Sequence, residues 1–394
     1  MSTQRRTILD GVLVVDLSRA LAGPQAAMML GDLGARVIKV EPPQGDDSRG
    51  WGPPYAGHEG APQSTYFMCA NRNKESVVLD LKTPAGLAAC RDLIGRADVL
   101  IENYRGGVME RLGLGLTELR RENPRLIALS ITGFGAEGEM AGRPGYDQII
   151  QGEAGLMSVT GDAAGGPTKM GVPICDLLAG LYGGYGVLAA LYERERTGTG
   201  TIVRTSLFAA AVAASTFQGT RFTVAGDVPG LTGNHHAAIA PYGSFRCADG
   251  LVQIAVASER LWQAFRAYAG LAAGDPRWTS PASRLTNRDA LTAEIERSFA
   301  GRTRDTIVSD LLALGVPAGR IATMDEVFAS PPVRDNDMVV MVDQPDVGRI
   351  GLPAPPVSFE GLPTRDHQHP PLLGEHTGDV LAWLTSSPAE MTGQ

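Results

Sequence analysis

Gly11-Val-Leu-Val-Val-Asp16 and Arg36-Val-Ile-Lys-Val-Glu41 flank a segment, Pro24 to Gly34, in which Ala26, Met29, Leu30 and Leu33 recur at helical spacing. Each outer stretch is a short apolar run bounded by Gly or polar residues, the pattern of a strand buried on both faces. Proline is tolerated at a first helical position, so Pro24 opens the helix and Gly34 closes it. Strand, helix and strand in so short a span predict a βαβ unit with parallel strands and a right-handed crossover.

The alternation continues outward from this unit. Ser76–Leu81, Asp98–Glu102 and Arg125–Thr132 read as strands, with helices at Thr83–Arg96 and near Thr117–Glu122. The pattern predicts an α/β fold with a Rossmann-like, doubly wound large domain. Ligands in such sheets sit beyond the carboxyl ends of the strands, here the loops Ser18–Pro24, Glu41–Trp51, Asn103–Gly107 and Gly133–Gly145. Ile174–Glu195 reads as a long helix carrying Gly180, Gly183, Gly184 and Gly186. Each glycine costs a helix roughly 1 kcal/mol relative to Ala, so the four point to close backbone packing or to an approaching ligand. A second helix, from Leu207 to about Ser215, is nearly all apolar and predicts burial.

From Tyr242 the character changes. Tyr242–Cys247, the turn Ala248-Asp249-Gly250 and Leu251–Val256 predict a β-hairpin, followed by helices at Glu259–Tyr268, Arg288–Phe299 and Arg304–Leu314. The expected organisation is a large α/β domain over residues 1–220, a smaller α+β domain over 221–330, and a C-terminal segment, 331–394, returning to the large domain.

The 394 residues carry Lys+Arg 35 against Asp+Glu 43, a net charge of −8. A net acidic chain has no general attraction for nucleic acid or an anionic membrane, so a polyanionic ligand must be met by a local cluster of cations and backbone N–H groups. The four cysteines, Cys69, Cys90, Cys175 and Cys247, form no Cys-x-x-Cys pair and suit a reducing cytoplasm. No apolar stretch nears the roughly 20 residues that span a bilayer, so a soluble, cytoplasmic protein is expected.

Several chemistries lack their signatures. Glu41 ends the second strand where a ribose-binding acid would stand, but the first turn, Leu17-Ser-Arg-Ala-Leu-Ala-Gly-Pro24, lacks the three spaced glycines of a dinucleotide site. A nucleotide-dependent oxidoreductase is therefore an alternative carried by the βαβ start alone. No P-loop string, no serine-nucleophile elbow and no metal-binding His pair occur, and no metal is expected. Cys175 reads as a packed thiol. Asp176 lies in the first turn of the long helix, where a carboxylate is favourable on electrostatic grounds alone. Its setting, Gly171-Val-Pro-Ile-Cys-Asp-Leu-Leu-Ala-Gly180 after the Gly-rich Thr160–Lys169 loop, makes it the leading catalytic candidate.

At this point the sequence resembles the family III CoA-transferases, the formyl-CoA transferase or CaiB/BaiF group. The resemblance is carried by Ala22-Gly-Pro24, Asn71–Lys82, Ala97-Asp-Val-Leu-Ile-Glu-Asn-Tyr104, Arg111-Leu-Gly113, Gly145-Tyr-Asp147, the Gly171–Gly180 block, Arg196-Thr-Gly-Thr-Gly200 and Leu372-Leu-Gly-Glu-His-Thr377. These ordered motifs run nearly the whole length of the chain.

The resemblance implies that Asp176 is a nucleophile that attacks an acyl-CoA thioester, passes through a mixed anhydride to an aspartyl-CoA thioester, and hands CoA to an acceptor acid. It implies CoA contacts at Leu79, Asn103, Tyr104, Arg111 and Leu112, with Tyr146 near the reacting centre, and an interlocked homodimer. CoA and acyl-CoA enter as substrates, with no cofactor held permanently. Two positions differ from formyl-CoA transferases: Leu21 stands where they carry Gln, and Pro42 where they carry a CoA-contacting Arg. The segment Gly233-Asn-His-His236 through Gly243 is similar to one in transferases that use succinyl-CoA and dicarboxylates. Arg19, His235 and His236 are accordingly expected to meet a second carboxylate. The related α-methylacyl-CoA racemases, the alternative within the superfamily, carry His where this chain has Tyr146, and a phenol replaces imidazole poorly near pH 7. A non-catalytic CoA-binding relative is the third reading.

Overall fold

The computed structural model describes residues 7–58, 60, 62–363 and 365–386. They form two compact units. The first comprises the described residues up to Leu156, Met170–Thr220 and those from Pro332; the second comprises Met157–Lys169 and Arg221–Pro331. Met157–Lys169 thus differs from its expected place in the large domain. Gly161–Asp162 pairs antiparallel with Gly166–Pro167, and the Gly233 N–H donates to the Gly161 carbonyl at 2.8 Å, which ties this short hairpin to the second unit.

The first unit is built on six parallel strands, β1 (Leu13–Asp16), β2 (Arg36–Glu41), β3 (Lys74–Val78), β4 (Val99–Glu102), β5 (Ile127–Thr132) and β6 (Ile202–Ser206). Their order is β6-β5-β4-β1-β2-β3, the doubly wound arrangement, which reverses direction between β1 and β4. Strand β6, Ile202-Val-Arg-Thr-Ser206, is not legible in the sequence because its one apolar pair, at its start, is too brief a signal.

Helices α1 (Ala22–Asp32), α2 (Pro84–Arg96), α3 (Leu116–Glu122), α4 (Asp147–Glu153), α5 (Ile174–Thr197) and α6 (Leu207–Ala214) complete the unit's main elements. Alternate strand residues face opposite ways. Val14, Val37, Ile101 and Leu129 pack with α1 and α5, whereas Val15, Ile38, Leu100 and Ala128 pack with α2 and the C-terminal helix Thr377–Thr385. Helix α6 is buried along Leu207, Ala210 and Ala211, while Val212 is exposed, so its expected burial covers one face only.

Helix α5 is 24 residues long and, by length and composition, apolar enough to cross a membrane, contrary to the reading of the sequence in short stretches. Within its unit it is a core helix crossing α1 and the sheet. Its glycines make those crossings close. A Cβ on Gly180 would lie 2.7 Å from the Ala22 carbonyl oxygen, on Gly183 2.9 Å from Leu129, and on Gly186 2.6 Å from Val203. Gly184 would meet only the Met29 methyl, at 3.7 Å.

The outer edge of β3 is covered by the end of the chain. His376 N–H donates to Ser76 O at 3.0 Å, Val78 N–H donates to Thr377 Oγ1 at 3.0 Å, and Asn73 N–H donates to Gln368 O at 3.3 Å.

In the second unit, strands β7 (Tyr242–Cys247), β8 (Gly250–Ala255) and β9 (Ala318–Arg320) form an antiparallel sheet covered by α7 (Glu259–Tyr268), α8 (Arg288–Phe299) and α9 (Arg304–Ala313). Its own core contains Phe245, Trp262, Phe265, Phe299 and Leu311.

The glycines of α5 yield a paired prediction. Gly180→Ala forces a methyl against a fixed backbone carbonyl and is expected to destabilise by about 1–3 kcal/mol, despite the better helix propensity of Ala. Gly184→Ala has room and is expected to stabilise by about 0.5–1 kcal/mol. Denaturant unfolding of the two variants checks the opposite signs.

Candidate active site

Helix α5 starts at Pro173, which offers no side-chain cap. Asp147, in the first turn of α4, supplies one from outside: its Oδ1 accepts from the N–H of Cys175 at 2.7 Å and of Asp176 at 3.4 Å. Its Oδ2 accepts from Gln151 Nε2 at 2.6 Å, and Gln151 Oε1 accepts from the Met170 N–H at 2.8 Å. This chain fixes the backbone beneath Asp176. The half-buried Asp176 carboxyl is pushed up to about 7, chiefly by burial and then by the charge of Asp147. Cys175 is fully buried, and its thiol is pushed up to about 12 by burial and by the charges of Asp147 and Asp176, which removes it as a nucleophile at neutral pH.

An aromatic pair that the sequence did not flag stands near, with Tyr66 within electrostatic reach of Asp176 and Trp51 packed on it. The Tyr66 phenol is raised well above its ordinary range, first by burial and then by the charges of Asp176, Cys69, Asp147 and Asp46. Trp51 meets Tyr66 edge-on at 4.9 Å. Both border an apolar cavity of about 1090 Å³ within the first unit, as do Pro173 and Leu177 on either side of Asp176. No motif pointed to Tyr66; only the fold brings it here. Tyr146 precedes the first turn of α4, its side chain making no capping hydrogen bond, and is 65% exposed.

Under the carboxyl ends of β1 and β2 lies a sealed ionic network. Lys39 Nζ donates to the Ser18 carbonyl at 2.8 Å and to Asp46 Oδ2 at 2.9 Å. Lys74 Nζ donates to Asp16 Oδ2 at 2.9 Å, the Pro24 carbonyl at 2.8 Å and Asn71 Oδ1 at 2.9 Å. Both ammonium groups are fully buried. Burial pulls Lys74 down to about 8, whereas the charges of Asp16, Asp46 and Glu41 outweigh burial at Lys39 and hold it above its ordinary value. At Asp46 the charge and hydrogen bond of Lys39, with the N–H groups of Ser48 and Ala20, outweigh burial, and its carboxyl falls to about 2. Ser18 hydrogen-bonds Asp16 through both its hydroxyl and its N–H. A Cβ at Gly23 would collide with Ser18 at 2.2 Å, which accounts for the glycine of Ala22-Gly23-Pro24.

Glu41, the candidate ribose acid of a dinucleotide enzyme, is 1% exposed and bound bidentately by Arg49, both contacts at 2.7 Å, with Ser76 Oγ donating at 2.6 Å. It has no face left for a ribose, and the oxidoreductase alternative loses its anchor.

The residues expected to contact CoA gather mainly along the loop after β4. Asn103 clasps the backbone of Arg19: its Oδ1 accepts from the Arg19 N–H and its Nδ2 donates to the Arg19 carbonyl, both at 2.8 Å. Tyr104 follows, half-buried, with its N–H donating to Glu102 Oε2 at 2.9 Å and its phenol raised by burial. Arg111 is exposed at the end of a single helical turn, Val108–Arg111, and Leu112 packs onto the sheet's second face. Leu79 is buried just past β3, its N–H donating to the Glu41 carbonyl at 2.9 Å. The candidates for a second carboxylate are placed differently. The Arg19 guanidinium pairs with Asp47 at 2.9 Å. His235 and His236 belong to the second unit, where His236 stacks on Tyr242 at 5.0 Å and His235 meets Phe245 edge-on. Burial and the nearby charge of Arg288 lower the His235 imidazole, which disfavours its cationic form. Among the described residues, no cluster of His, Cys, Asp or Glu is arranged to hold a metal ion.

The description "CoA-transferase family III" belongs to the family model that matches residues 9–377. The chain belongs to this family. It is a CoA-transferase, similar over 95% of its length to a succinyl-CoA:glutarate CoA-transferase of Mus musculus (36% identical, 85% of that protein covered). A succinate–glutarate CoA-transferase of Agrobacterium fabrum is 37% identical, with 96% of both chains covered. A succinyl-CoA:mesaconate CoA-transferase of Haloarcula hispanica is 37% identical, with 95% of both chains covered. Among solved structures, a CaiB/BaiF family protein from Brucella suis superposes with a TM-score of 0.87 at 38% identity, covering 96% of this chain and 100% of that one. A protein from Mycobacterium tuberculosis follows with a TM-score of 0.83 at 32% identity, over 95% and 99% of the respective chains.

The raised Asp176 carboxyl sets a pH dependence of stability. Because its folded value, about 7, exceeds its unfolded value, the folded CoA-transferase binds the extra proton between about pH 4 and pH 7. Stability from this group is therefore present below that window and lost as the pH rises through it. Wild type is expected to lose stability relative to Asp176→Asn between pH 4 and pH 7, and denaturant midpoints of the two proteins across that range check the sign.

Proposed function

We propose that this enzyme moves CoA from succinyl-CoA to a dicarboxylic acid, with Asp176 as the covalent nucleophile. The ionised Asp176 carboxylate attacks the thioester carbonyl, the C–S bond breaks, and CoA leaves as its thiolate, giving a mixed anhydride. The thiolate then attacks the aspartyl carbonyl and releases succinate, leaving an aspartyl-CoA thioester. The acceptor carboxylate attacks that thioester, the thiolate leaves again, and its return to the acceptor's carbonyl frees Asp176 and the new acyl-CoA. One thioester replaces another, so the cycle needs no other source of energy, and a carboxylate nucleophile divides a hard exchange into easier steps.

The observation that carries this reading is the carboxyl of Asp176, held on a capped helix start and raised to about 7. Raised basicity strengthens a carboxylate as a nucleophile while leaving a substantial ionised fraction at neutral pH. The N–H groups of an α-helix start offer positive potential to a developing oxyanion. CoA is held by Leu79, Asn103, Tyr104, Arg111 and Leu112, and Tyr146 stands at the mouth of the reacting centre. The names of the relatives in mouse, Agrobacterium and Haloarcula support succinyl-CoA and a dicarboxylate as the exchange pair. An exposed phenol at the position of Tyr146 gives racemisation no paired imidazole.

We further propose a homodimer. Helix α5 exposes Leu181, Tyr182, Tyr185, Leu188 and Tyr192, two of the tyrosines at 71%, and Leu181 and Leu188 also line the apolar cavity. A contiguous apolar face of this kind marks an association surface, and a second copy of the chain is its occupant. The four cysteines are free, which suits a reducing compartment such as the cytoplasm.

Asp176→Ala is expected to abolish CoA exchange, and hydroxylamine is expected to trap wild-type enzyme as the Asp176 hydroxamate once succinyl-CoA is added, read by mass spectrometry. Exchange by the Ala variant would refute the nucleophile. Turnover confined to monocarboxylates would refute the acceptor class, and a stable monomer by light scattering would refute the dimer.

A further inference from the structure

We propose that Arg19 binds a phosphate group of CoA, and that its ion pair with Asp47 is the contact this phosphate displaces. The inference rests on the reading of the Asn103–Leu112 loop as CoA-binding and gives Arg19 a ligand other than the second carboxylate expected from the sequence. The sheet reverses direction between β1 and β4, and the crevice at such a switch point is where a doubly wound sheet takes its ligand. Arg19 leaves the end of β1 and Asn103 the end of β4, so the paired bonds between them close over that crevice.

The turn that carries Arg19 is held from three sides. Ala20 adopts a left-handed conformation (φ 65°), its N–H donates to Asp46 Oδ1 at 3.2 Å, and Lys39 grips the preceding Ser18 carbonyl. A residue so fixed loses little further backbone entropy when its side chain takes a ligand. That guanidinium is unevenly satisfied: Nη2 meets Asp47, whereas Nε is buried without a hydrogen-bond partner. The pair is partly open to solvent, at 33% exposure for Arg19 and 61% for Asp47. An ion pair this exposed adds little to stability, so a phosphate can take its place readily.

The chemistry of the ligand supplies the need. CoA brings several phosphate charges to a chain of net charge −8, so local cations must meet them. A planar guanidinium matches a phosphate in two hydrogen bonds, and Arg105 and Arg111 lie exposed on the adjoining loop. Arg19 therefore adds a third arginine at the switch-point crevice.

The test compares succinyl-CoA with the succinyl thioester of pantetheine, which keeps the reacting end and carries no phosphate. Arg19→Met is expected to raise KM for succinyl-CoA by roughly 10- to 100-fold with kcat nearly unchanged, and to leave KM for the pantetheine thioester where it was. Arg19→Lys recovers part of the loss, and Asp47→Asn, which frees the guanidinium, lowers KM for succinyl-CoA alone. An equal rise for both thioesters, no rise at all, or a rise confined to the free acid acceptor overturns the assignment. If Arg19→Met does not fold, Asp47→Asn decides: no difference between the two thioesters overturns it. Were wild type to turn over neither thioester, the transferase reading would fail first. Calorimetric titration with CoA itself would then judge Arg19 separately, and equal affinity for wild type and Arg19→Lys or Arg19→Met would count against it.

Discussion

Two ammonium groups sealed under the ends of β1 and β2 are the constraint on which the rest of the first unit depends. Lys39 and Lys74 are out of water entirely, and a buried charge is tolerated only when it is hydrogen-bonded and opposite charge stands close. Asp16, Asp46, Asn71 and the carbonyls of Ser18 and Pro24 meet that demand. The loops cannot drift without stranding a charge, so the first turn needs no glycine cradle to hold its shape. Polar groups that serve no chemical step here fix the position of those that do.

A second dependence links α4 to α5. The long helix has a proline at its start and glycines where it crosses α1 and the sheet, features that weaken an isolated helix. Tertiary contacts compensate: Asp147 satisfies N–H groups that Pro173 leaves open, and Gly180, Gly183 and Gly186 let the backbone approach its neighbours closely. The same carboxylate that caps the helix also raises the carboxyl of Asp176, so structural anchoring and chemical tuning are one interaction.

Much of this was legible in the sequence, and the limits have physical reasons. The run Gly11–Glu41 declared a parallel βαβ unit because fully buried strands carry continuous apolar residues, and the long period of Ile174–Glu195 declared a helix. Strand β6 was too brief to register. Asp176 was legible through its Gly-rich surroundings and the family motifs, but Tyr66, Trp51 and the capping role of Asp147 were not, because each depends on elements far apart in the chain. Glu41 stood where a ribose-binding acid would, a role the missing glycines already argued against, and its partners Arg49 and Ser76 show it to be a structural anchor. For Arg19 the sequence suggested a second carboxylate, whereas its paired hydrogen bonds with Asn103 at the strand ends are the ground for the phosphate proposed above.

The cover over β3 has a consequence for association. The outer strand of the sheet finds hydrogen-bond partners in residues 368–377, about 300 residues further along the chain. Local release of that segment would bare a sheet edge with open backbone groups, the kind of edge that invites pairing with other chains. The segment therefore guards the sheet against a second strand as well as completing it.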